Sequence, residues 1–358
     1  MTIATMTIAV DCRMIDASGI GVYLQGILPL LLQTEHKFLL FGNLGKLQPY
    51  SSLNKNGTII PCDVKPFSIK ELFFFPRKTL KKINKADIFY SPFFNIPPVR
   101  IPVFSTIHDI IFPDMPDITS KTGLAARMFF FRRAAKKSQK IFTVSEFSKS
   151  RIEYRLGKNK PVIVTHSAIQ PLFLDYHLKI GNIQKKETVI FIGNIKKHKG
   201  LDYLIDAFSL AKKEGLHHKL IIIGEKENFR TGDNKVLQKI ESLGNDTVLF
   251  TGFVSTEQLM EHLCTASLLI QPSLYEGFCL PPLEAMVIGT QALISDIAVL
   301  KEIYAGYPVT FFRTGDIIDL KEKMMHLLKS PASPELTCEL LYRYTFEKTV
   351  SRILKELE

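Results

Sequence analysis

Short runs of β-branched and aromatic residues alternate along this sequence with longer segments that have the apolar spacing of a helix. In the first half the predicted strands are Thr7–Val10, Phe38–Phe41, Ala86–Tyr90, Val103–Ile107, Ile141–Val144 and Val162–Thr165, and the predicted helices are Val22–Gln33 and Gly123–Lys137. Strands that alternate with helices are typical of a parallel sheet covered by helices. The pattern therefore predicts an α/β fold.

The second half repeats this alternation. Its predicted strands are Thr188–Ile192, Lys219–Ile223, Thr247–Phe250, Leu268–Gln271 and Gln291–Ser295, and its predicted helices are Leu201–Glu214 and Thr256–Leu263. A chain of 358 residues is long enough for two domains, each with its own core. We expect two Rossmann-like domains.

The predicted domains cover residues 1–172 and 187–340. Residues 173–186 lie in a segment without a clear period and are the expected linker. The stretch from Ser333 to the C-terminus has a helical, amphipathic pattern, and residues 341–358 form a helix that can pack back on the first domain. The opening MTIATMTIAV repeats itself, so Met1 and Met6 are both candidate starts.

Composition favours a cytoplasmic location. No apolar run approaches the roughly 18 residues that a membrane span needs, and the first residues show no signal-peptide pattern. The five cysteines are scattered and include no C-x-x-C pair, which argues against structural zinc and a disulfide framework.

The positive charge lies in the first half. Residues 1–175 hold 24 Lys and Arg against 12 Asp and Glu, a net charge of +12, whereas the remainder holds 22 against 23, a net charge of −1. Such asymmetry indicates an acidic partner: a phosphorylated lipid, a membrane surface or a nucleic acid. A nucleic-acid-binding protein has only this charge in its favour, because no helix-turn-helix, RNP or OB signature is present.

Two segments of the basic half combine phenylalanines with cations: Phe73–Lys85, with its basic part Arg77–Lys85, and Arg127–Lys137. In one interpretation each Phe triplet belongs to the core and the cations cover a solvated helix face. In the other, the segments form an interfacial surface that docks on anionic lipid. Both interpretations stay open at this point.

The segment QPSLYEGFCLPPLE, which ends at Glu284, carries the most chemical information. A predicted strand ends at Gln271, a loop follows, and two prolines suit the first turn of a helix. The pattern predicts a helix N-terminus with free N–H groups between the carboxylates of Glu276 and Glu284, which suits a diphosphate flanked by hydroxyl-rich groups. Alternatively, Glu284 only complements the helix dipole.

This segment, with its E-x7-E pair, resembles the signature of family 4 retaining glycosyltransferases, which have the GT-B fold. Further matching motifs are IGNIKKHKGLDYLIDAF, FTGFVSTEQL, ASLLIQPS and ISDIAVLKEI in the second half and, more weakly, SGIGVY, STIHDIIF, TVSEFSK and SAIQPLF in the first. The resemblance implies two Rossmann-like parallel-sheet domains facing each other across a cleft. It also implies transfer of a hexose from a nucleotide-diphosphate sugar with retained anomeric configuration.

The resemblance assigns roles in the second half. Glu276 is expected to face the donor sugar, Glu284 to accept hydrogen bonds from the ribose hydroxyls, and Lys199 to bind the diphosphate and stabilise the leaving group. From the sequence alone, Lys199 is also an ordinary solvated lysine among the residues 196–198.

In the first half, His108 follows a predicted strand and is expected to contact the donor sugar, because open α/β sheets bind ligands at that edge. A lone histidine is more often structural. Asp109 either orients His108 or is a turn residue. Gly19 and Gly21 are expected to let the backbone approach the diphosphate or acceptor; otherwise they are turn glycines with positive φ.

The remaining expected donor-binding residues are Gly193, Asn194, Phe253, Gly277, Phe278, Cys279 and Leu280. Three positions depart from the family pattern. Asn194 stands where many members have an arginine that helps to neutralise the diphosphate, Cys279 where a glycine is usual, and Gln291 where a proline is common.

No acidic D-x-D pair is present, so we expect metal-independent catalysis, with no cofactor besides the donor. The motifs resemble those of enzymes of surface polysaccharide assembly, with GDP-mannose as the expected donor and UDP-hexose as the alternative. The expected acceptor is a soluble or lipid-linked glycan, and the expected location is the cytoplasm, at the inner face of the membrane.

Rival classes fit less well. A dinucleotide-dependent oxidoreductase needs G-x-G-x-x-G directly after the first strand, but the glycines come eight residues past Asp11 and Leu24 replaces the third. A GT-B epimerase shares the architecture without the E-x7-E pair. A GT-B nucleotide-sugar-binding protein without transferase activity is the alternative that the departures at Asn194 and Cys279 keep open.

Overall fold

The structure is a computed structural model of the chain, and it describes residues 5–53, 57–179, 183–224, 234–244 and 246–357. Contacts divide the chain into two compact units, with boundaries after Gln170 and after Arg343, and the residues from Tyr344 onwards belong to the first unit. Met1, as a candidate start, and residues 180–182 of the expected linker lie outside the described residues.

The first unit contains a seven-stranded parallel sheet with the order β3-β2-β1-β4-β5-β6-β7. Its strands are β1 (Thr7–Asp11), β2 (Lys37–Gly42), β3 (Gly57–Pro61), β4 (Ile88–Ser91), β5 (Val103–Thr106), β6 (Ser138–Thr143) and β7 (Val162–Val164). Its helices up to residue 170 are α1 (Ser18–Leu32), α2 (Leu44–Leu47), α3 (Ile69–Phe73), α4 (Arg77–Ile83), α5 (Ile111–Asp114), α6 (Lys121–Lys137) and α7 (Glu146–Leu156).

The second unit contains a six-stranded parallel sheet with the order β10-β9-β8-β11-β12-β13. Its strands are β8 (Lys186–Ile192), β9 (Lys219–Ile223), β10 (Val248–Gly252), β11 (Ala266–Gln271), β12 (Ala292–Ser295) and β13 (Thr310–Phe312). Its helices are α8 (Pro171–His177), α9 (Leu201–Lys213), α10 (Asn234–Leu243), α11 (Thr256–Thr265), α12 (Pro281–Val287), α13 (Ala298–Ile303), α14 (Ile317–Lys329) and α15 (Cys338–Leu341).

The chain ends in helix α16 (Phe346–Leu357), which packs on α1 of the first unit. Its buried residues include Phe346, Val350 and Ile353, which recur at the spacing of one helix face. Gly26 of α1 makes room for this contact, because a Cβ there would lie 2.1 Å from the Phe346 ring. The apolar face predicted for the C-terminal residues is therefore buried on the first unit.

These observations confirm the predicted α/β class, with one parallel sheet in each half. The sequence pattern missed the short strands β3 and β13, whose three to five residues carry too little periodicity to be recognised. The C-terminal stretch forms two helices, α15 and α16, and not one, because the chain passes from the second unit to the first between them. The first five residues of the expected linker, 173–177, belong to α8, which lies in the second unit.

Candidate active site

The centre of the second sheet brings two charged residues together. Strands β8 and β11 are parallel neighbours, so the segments that follow them meet at the same edge of the sheet. Lys199 ends a 3₁₀ turn after β8, and Glu276 lies in the loop after β11. The Lys199 ammonium lies 2.8 Å from Oε1 and 3.0 Å from Oε2 of Glu276. The structure thus pairs two residues that the sequence analysis assigned to different parts of the donor.

Hydrogen bonds hold the two loops in this arrangement. The Ser273 hydroxyl donates to Glu276 Oε1 over 2.6 Å, and the Ser295 hydroxyl donates to the Ser273 carbonyl over 2.5 Å. The Leu274 N–H donates to the His198 carbonyl over 2.7 Å and ties one loop to the other. The carboxylate and the ammonium are therefore positioned by backbone as well as side-chain contacts.

Gly200 permits the close approach of the two loops. It has a φ of +67°, and a Cβ there would lie 1.9 Å from the Pro272 carbonyl oxygen. No residue with a side chain fits this position without a backbone shift. Helix α9 begins directly after Gly200, so this glycine also fixes where Lys199 stands relative to the sheet.

Glu276 is ionised at neutral pH although it is buried. Burial by itself raises the pKa of a carboxyl group. At Glu276 the charge of Lys199 and the hydrogen bonds from Lys199 and Ser273 outweigh burial and hold its pKa below the ordinary value. The site therefore keeps a negative charge in a protected position.

Glu284, the second acid of the motif, is also buried, on helix α12. Burial raises its pKa to about 7, and no charged or hydrogen-bonding neighbour among the described residues offsets that effect. The two acids of the motif thus have opposite shifts, because only Glu276 has a cationic partner. A carboxyl group with unfilled hydrogen-bonding capacity can accept hydrogen bonds from ligand hydroxyls.

The start of α12 differs from the prediction. Its first two residues are prolines without N–H groups, and the Leu283 N–H donates to the Tyr304 hydroxyl over 3.1 Å. The Tyr304 hydroxyl in turn donates to the Cys279 carbonyl. The expectation of free N–H groups is therefore wrong for the first three residues of α12, because two are prolines and the third donates to Tyr304.

The loop before α12 explains the glycine that is usual at position 279. Cys279 has a φ of +75°, a left-handed conformation that costs a non-glycine residue on the order of 1 kcal/mol or more. Phe278 and Cys279 are buried, and Leu280 is the N-cap of α12. The departure at Cys279 keeps the loop conformation and adds strain.

The other expected donor-binding residues of the second unit follow β8, β10 and β11. Gly193 follows β8 with a φ of +150°, and its N–H donates to the Ile223 carbonyl over 2.9 Å. Asn194 is half-buried beside it. Phe253 follows β10, and 82% of its surface is exposed. Gly277 lies in the Glu276 loop and is buried.

In the first unit, His108 lies directly after β5, at the edge of the sheet where the sequence analysis placed it. Burial lowers its pKa to about 4, so the ring is neutral at pH 7. Nε2 lies 2.9 Å from the Pro92 carbonyl, which requires the Nε2–H tautomer and leaves Nδ1 as an acceptor. Asp109 Oδ1 accepts the Ile111 N–H over 3.1 Å, as a turn residue does.

Gly19 and Gly21 do not lie in a loop. Both belong to the first turn of α1, which begins at Ser18, and neither has a positive φ. The turn interpretation of these glycines is therefore wrong. Gly21 is required by packing, since a Cβ there would lie 2.6 Å from the Ile15 carbonyl oxygen, whereas the space beside Gly19 is open.

Two residues of the site escaped the sequence analysis. Ser273 lies within a recognised motif, and a hydroxyl at the carboxyl end of a predicted strand was the signal that pointed to it. Tyr304 follows α13, and no local pattern distinguishes it from a core tyrosine.

The described residues contain no group of three or more His, Cys, Asp or Glu side chains that could hold a metal ion. Among the helices of those residues, none is long and apolar enough to cross a membrane.

Comparisons with known proteins agree with this fold. The two parallel-sheet α/β units match solved glycosyltransferase structures in fold, as the resemblance implied. The family model of glycosyl transferases group 1 matches residues 175–340. The resemblance seen in the sequence is thereby confirmed for this part of the chain.

Relatives include the serotype-specific mannosyltransferase WbdA of Escherichia coli, 29% identical over 58% of this chain and 27% of that protein. The O-antigen chain mannosyltransferase B of Escherichia coli is 26% identical over 61% of this chain and 59% of that protein. This chain thus spans about a quarter of WbdA. The crystal structure of Anabaena HepE with UDP-glucose has the same fold, with a TM-score of 0.70 and 17% identity, over 98% of this chain and 99% of that chain.

Proposed function

We propose that this protein is a retaining glycosyltransferase that moves mannose from GDP-mannose to a hydroxyl of a glycan acceptor in surface polysaccharide assembly. The buried Lys199–Glu276 pair within the group 1 domain is the observation that carries this proposal. The two Escherichia coli mannosyltransferases support mannose as the sugar. UDP-hexose is the alternative donor.

In this proposal Glu276 lies beside the donor sugar and Lys199 beside the diphosphate. The ionised carboxylate favours the positive charge that develops at the anomeric carbon as the bond to the diphosphate breaks. The ammonium stabilises the negative charge that appears on the leaving phosphate. Since Lys199 contacts both oxygens of Glu276, the incoming diphosphate competes with the carboxylate for the same cation.

Glu284 and His108 take supporting roles. Glu284 accepts hydrogen bonds from the ribose hydroxyls, for which its unfilled carboxyl group is suited. His108 is neutral and bonds a sugar hydroxyl through Nδ1, while its Nε2–H stays on Pro92. In these assignments the Glu284 carboxyl group and His108 Nδ1 each bind hydroxyl groups of the donor.

The donor is tested by thermal shift with GDP, UDP, GDP-mannose, UDP-glucose and UDP-galactose. A ligand that binds the native state raises Tm with its concentration. We expect the largest shift with GDP-mannose, followed by transfer to a glycan acceptor. NMR of the new linkage then gives its anomeric configuration, and an inverted product would overturn the proposed stereochemistry. Binding without hydrolysis or transfer would favour a sugar-nucleotide-binding protein.

We further propose a peripheral contact of the first unit with anionic membranes. The structure divides both Phe triplets: Phe75, Phe130 and Phe131 are buried, whereas Phe73, Phe74 and Phe129 are 76%, 71% and 52% exposed. The interpretation that the triplets are core is therefore wrong for three of the six rings. Exposed rings beside cations suit the interface of an anionic bilayer.

Two of these exposed rings lie at the end of α3: Phe73 is its last residue and Phe74 its C-cap. Glu71 on this helix is buried and forms an ion pair with Arg13 over 2.6 Å, and Arg13 also pairs with Asp11 over 2.6 Å. The inward face of α3 is thus tied to the end of β1. Phe73 and Phe74 lie outside this tethered face and are exposed, so they remain available to a lipid surface.

Vesicle sedimentation tests the membrane contact. Vesicles with phosphatidylglycerol should bind the protein reversibly, and binding should fall as salt shortens the Debye length from about 10 Å at 0.1 M towards 3 Å at 1 M. Phe73→Ser with Phe74→Ser should weaken binding, whereas Leu249→Ser, an exposed site of the second unit, should not. Equal binding to neutral vesicles would contradict the proposal.

A further inference from the structure

The cations of α6 fall into two groups. Arg133 Nε donates to the Ile96 carbonyl over 3.2 Å, and Lys137 Nζ donates to the Val99 carbonyl over 3.3 Å. These two side chains fasten the loop before β5 to the helix. Arg132 and Lys136 are exposed and line a pocket on the side of the unit formed by α6 and α7.

This pocket has a volume of about 450 Å³, within the range of roughly 300–1,000 Å³ that holds small ligands. It lies where α6 leads into β6 and where residues 157–160 lead into β7. Because the strands are parallel, this is the amino edge of the sheet. His108 lies at the carboxyl edge, so the pocket is separate from the candidate active site.

The walls of the pocket are strongly basic. Arg132, Lys136, Arg155 and Lys160 all line it, and no carboxylate does among the described residues. Asp114 accepts the Arg155 Nε–H over 2.8 Å, but it is shared with Arg151. The C-terminal ends of α6 and α7 carry the negative ends of the helix dipoles, and each offsets only about half of one positive charge. The pocket keeps a net positive charge that an anion would neutralise.

The floor of the pocket is apolar. Ala135, Ile141, Ile152 and Leu156 contribute hydrocarbon to it, and Ile141 and Ile152 are buried. Cations above an apolar floor match a ligand with a charged head and an attached hydrocarbon group. Arginine and lysine are the usual partners of phosphate oxygens.

We infer that this pocket binds a phosphate group that carries an apolar substituent, at a site independent of donor binding. A bilayer phospholipid and a free amphipathic phosphate present the same chemistry. The inference does not depend on sugar transfer, because the pocket belongs to the first unit and is tested with ligands that are not donors.

Calorimetry with the full chain tests the site, with monomeric dihexanoylphosphatidylglycerol and inorganic phosphate as probes. We expect saturable binding of the short-chain lipid, more than roughly tenfold tighter than phosphate, since each buried methylene contributes about a fourfold factor. Phosphate binding as tight as lipid would overturn the apolar part of the inference.

Two matched triple variants locate the binding. Arg132→Gln with Lys136→Gln and Lys160→Gln removes three pocket cations, and each is worth roughly a fivefold factor near an anionic surface. Affinity for the short-chain lipid should fall by roughly 100-fold, while GDP or UDP affinity stays unchanged. Lys78→Gln with Lys81→Gln and Lys82→Gln removes the same charge from α4 and should leave affinity for the short-chain lipid nearly unchanged.

Equal weakening by both triple variants, or no saturable binding at all, would overturn the inference, and the cations would then only complement the ends of α6 and α7. Vesicles with phosphatidylglycerol distinguish the two sources. A fall in vesicle binding that is larger in the pocket variant than in the α4 variant identifies a bilayer lipid. Binding of the short-chain lipid without vesicle binding identifies a free amphipathic phosphate.

Discussion

The ammonium of Lys199 lies within hydrogen-bonding distance of both carboxylate oxygens of Glu276, 77 positions further along the chain. The ion pair is mostly buried, with side-chain exposures of 22% for Lys199 and 9% for Glu276. Two opposite charges therefore stand at the carboxyl edge of the second sheet, where they neutralise each other.

Removal of either member of this pair should reduce transfer strongly. Loss of one positioned electrostatic contact costs about 10²–10³-fold in rate, so we expect that loss for Lys199→Ala and for Glu276→Gln. Lys199→Ala also leaves a buried carboxylate without its cation and should destabilise the protein by up to about 3 kcal/mol. Steady-state kinetics and chemical denaturation measure the two effects.

The control for this pair is Lys197→Ala, an exposed lysine of the same 3₁₀ turn. It should keep nearly full activity. A loss at Lys197 equal to that at Lys199 would show that the turn supplies general positive charge and that the contact with Glu276 has no special role.

Glu284 should make stability depend on pH. Its pKa is raised in the folded state, so its burial costs nothing while the group is protonated in both states and becomes unfavourable as pH rises from its unfolded value of 4.5 to about 7. Above that window the cost is constant, up to about 3 kcal/mol. Glu284→Gln should therefore match the wild type near pH 4, where the group is protonated in both states, and be more stable near pH 8.

Denaturant unfolding of both proteins at several pH values measures this difference. A stability difference that is the same across the whole range would mean that the folded and unfolded pKa of Glu284 are equal.

Nucleotide binding should release a proton from Glu284. If the ribose hydroxyls donate to its carboxylate, binding favours the ionised form and lowers a pKa that stands at about 7. Below that pH the enthalpy of GDP or UDP binding should vary with the ionisation enthalpy of the buffer. Calorimetry with Glu284→Gln corrects for protons exchanged by the nucleotide itself, and an identical buffer dependence in the variant would remove Glu284 from the ribose site.

Transfer should continue in excess EDTA. A lysine ammonium within the site can neutralise charge on a leaving diphosphate, which in other transferases is the task of a divalent cation. Initial rates with EDTA, and with added Mg²⁺ or Mn²⁺, measure this directly. Complete loss that either metal restores would show that Lys199 does not supply the leaving-group stabilisation by itself.

Gly200→Ala should destabilise the second unit. The added Cβ meets the Pro272 carbonyl oxygen at 1.9 Å, and the positive φ adds about 1 kcal/mol, for a total of about 3 kcal/mol. Gly215→Ala has a positive φ as well, with nothing within 4 Å of its Cβ, and should lose only the backbone part. Equal losses in chemical denaturation would mean that the contact with Pro272 relaxes without cost.

Local patterns were sufficient for most of the fold. The alternation of strands and helices, and the face of α9 with Leu204, Phe208 and Ala211, depend on periodicities of two to four residues, which neighbouring side chains determine. The start of α1 was predicted four residues late, because two glycines near Ser18 are typical of a loop. Glycine is required at position 21 because the backbone packs closely against the Ile15 carbonyl, not because the residue lies in a turn.

The start of α12 shows what local sequence patterns cannot predict. The motif correctly placed the two prolines in the first turn of α12. The N–H of Leu283, however, donates to the hydroxyl of Tyr304, which lies 21 positions away in the sequence. A hydrogen bond between residues far apart in the sequence produces no recognisable periodicity in either segment.

The sequence by itself determined the α/β class, the approximate positions of most strands and the motif that holds Glu276 and Glu284. Only the tertiary structure decided which lysine of the turn after β8 meets Glu276, why the two acids differ in pKa, and which cations of α6 face a pocket. The reason is physical. Helices and strands follow from interactions between residues close in sequence, whereas a charged pair or a pocket requires the order of the strands to bring remote segments to the same edge of a sheet.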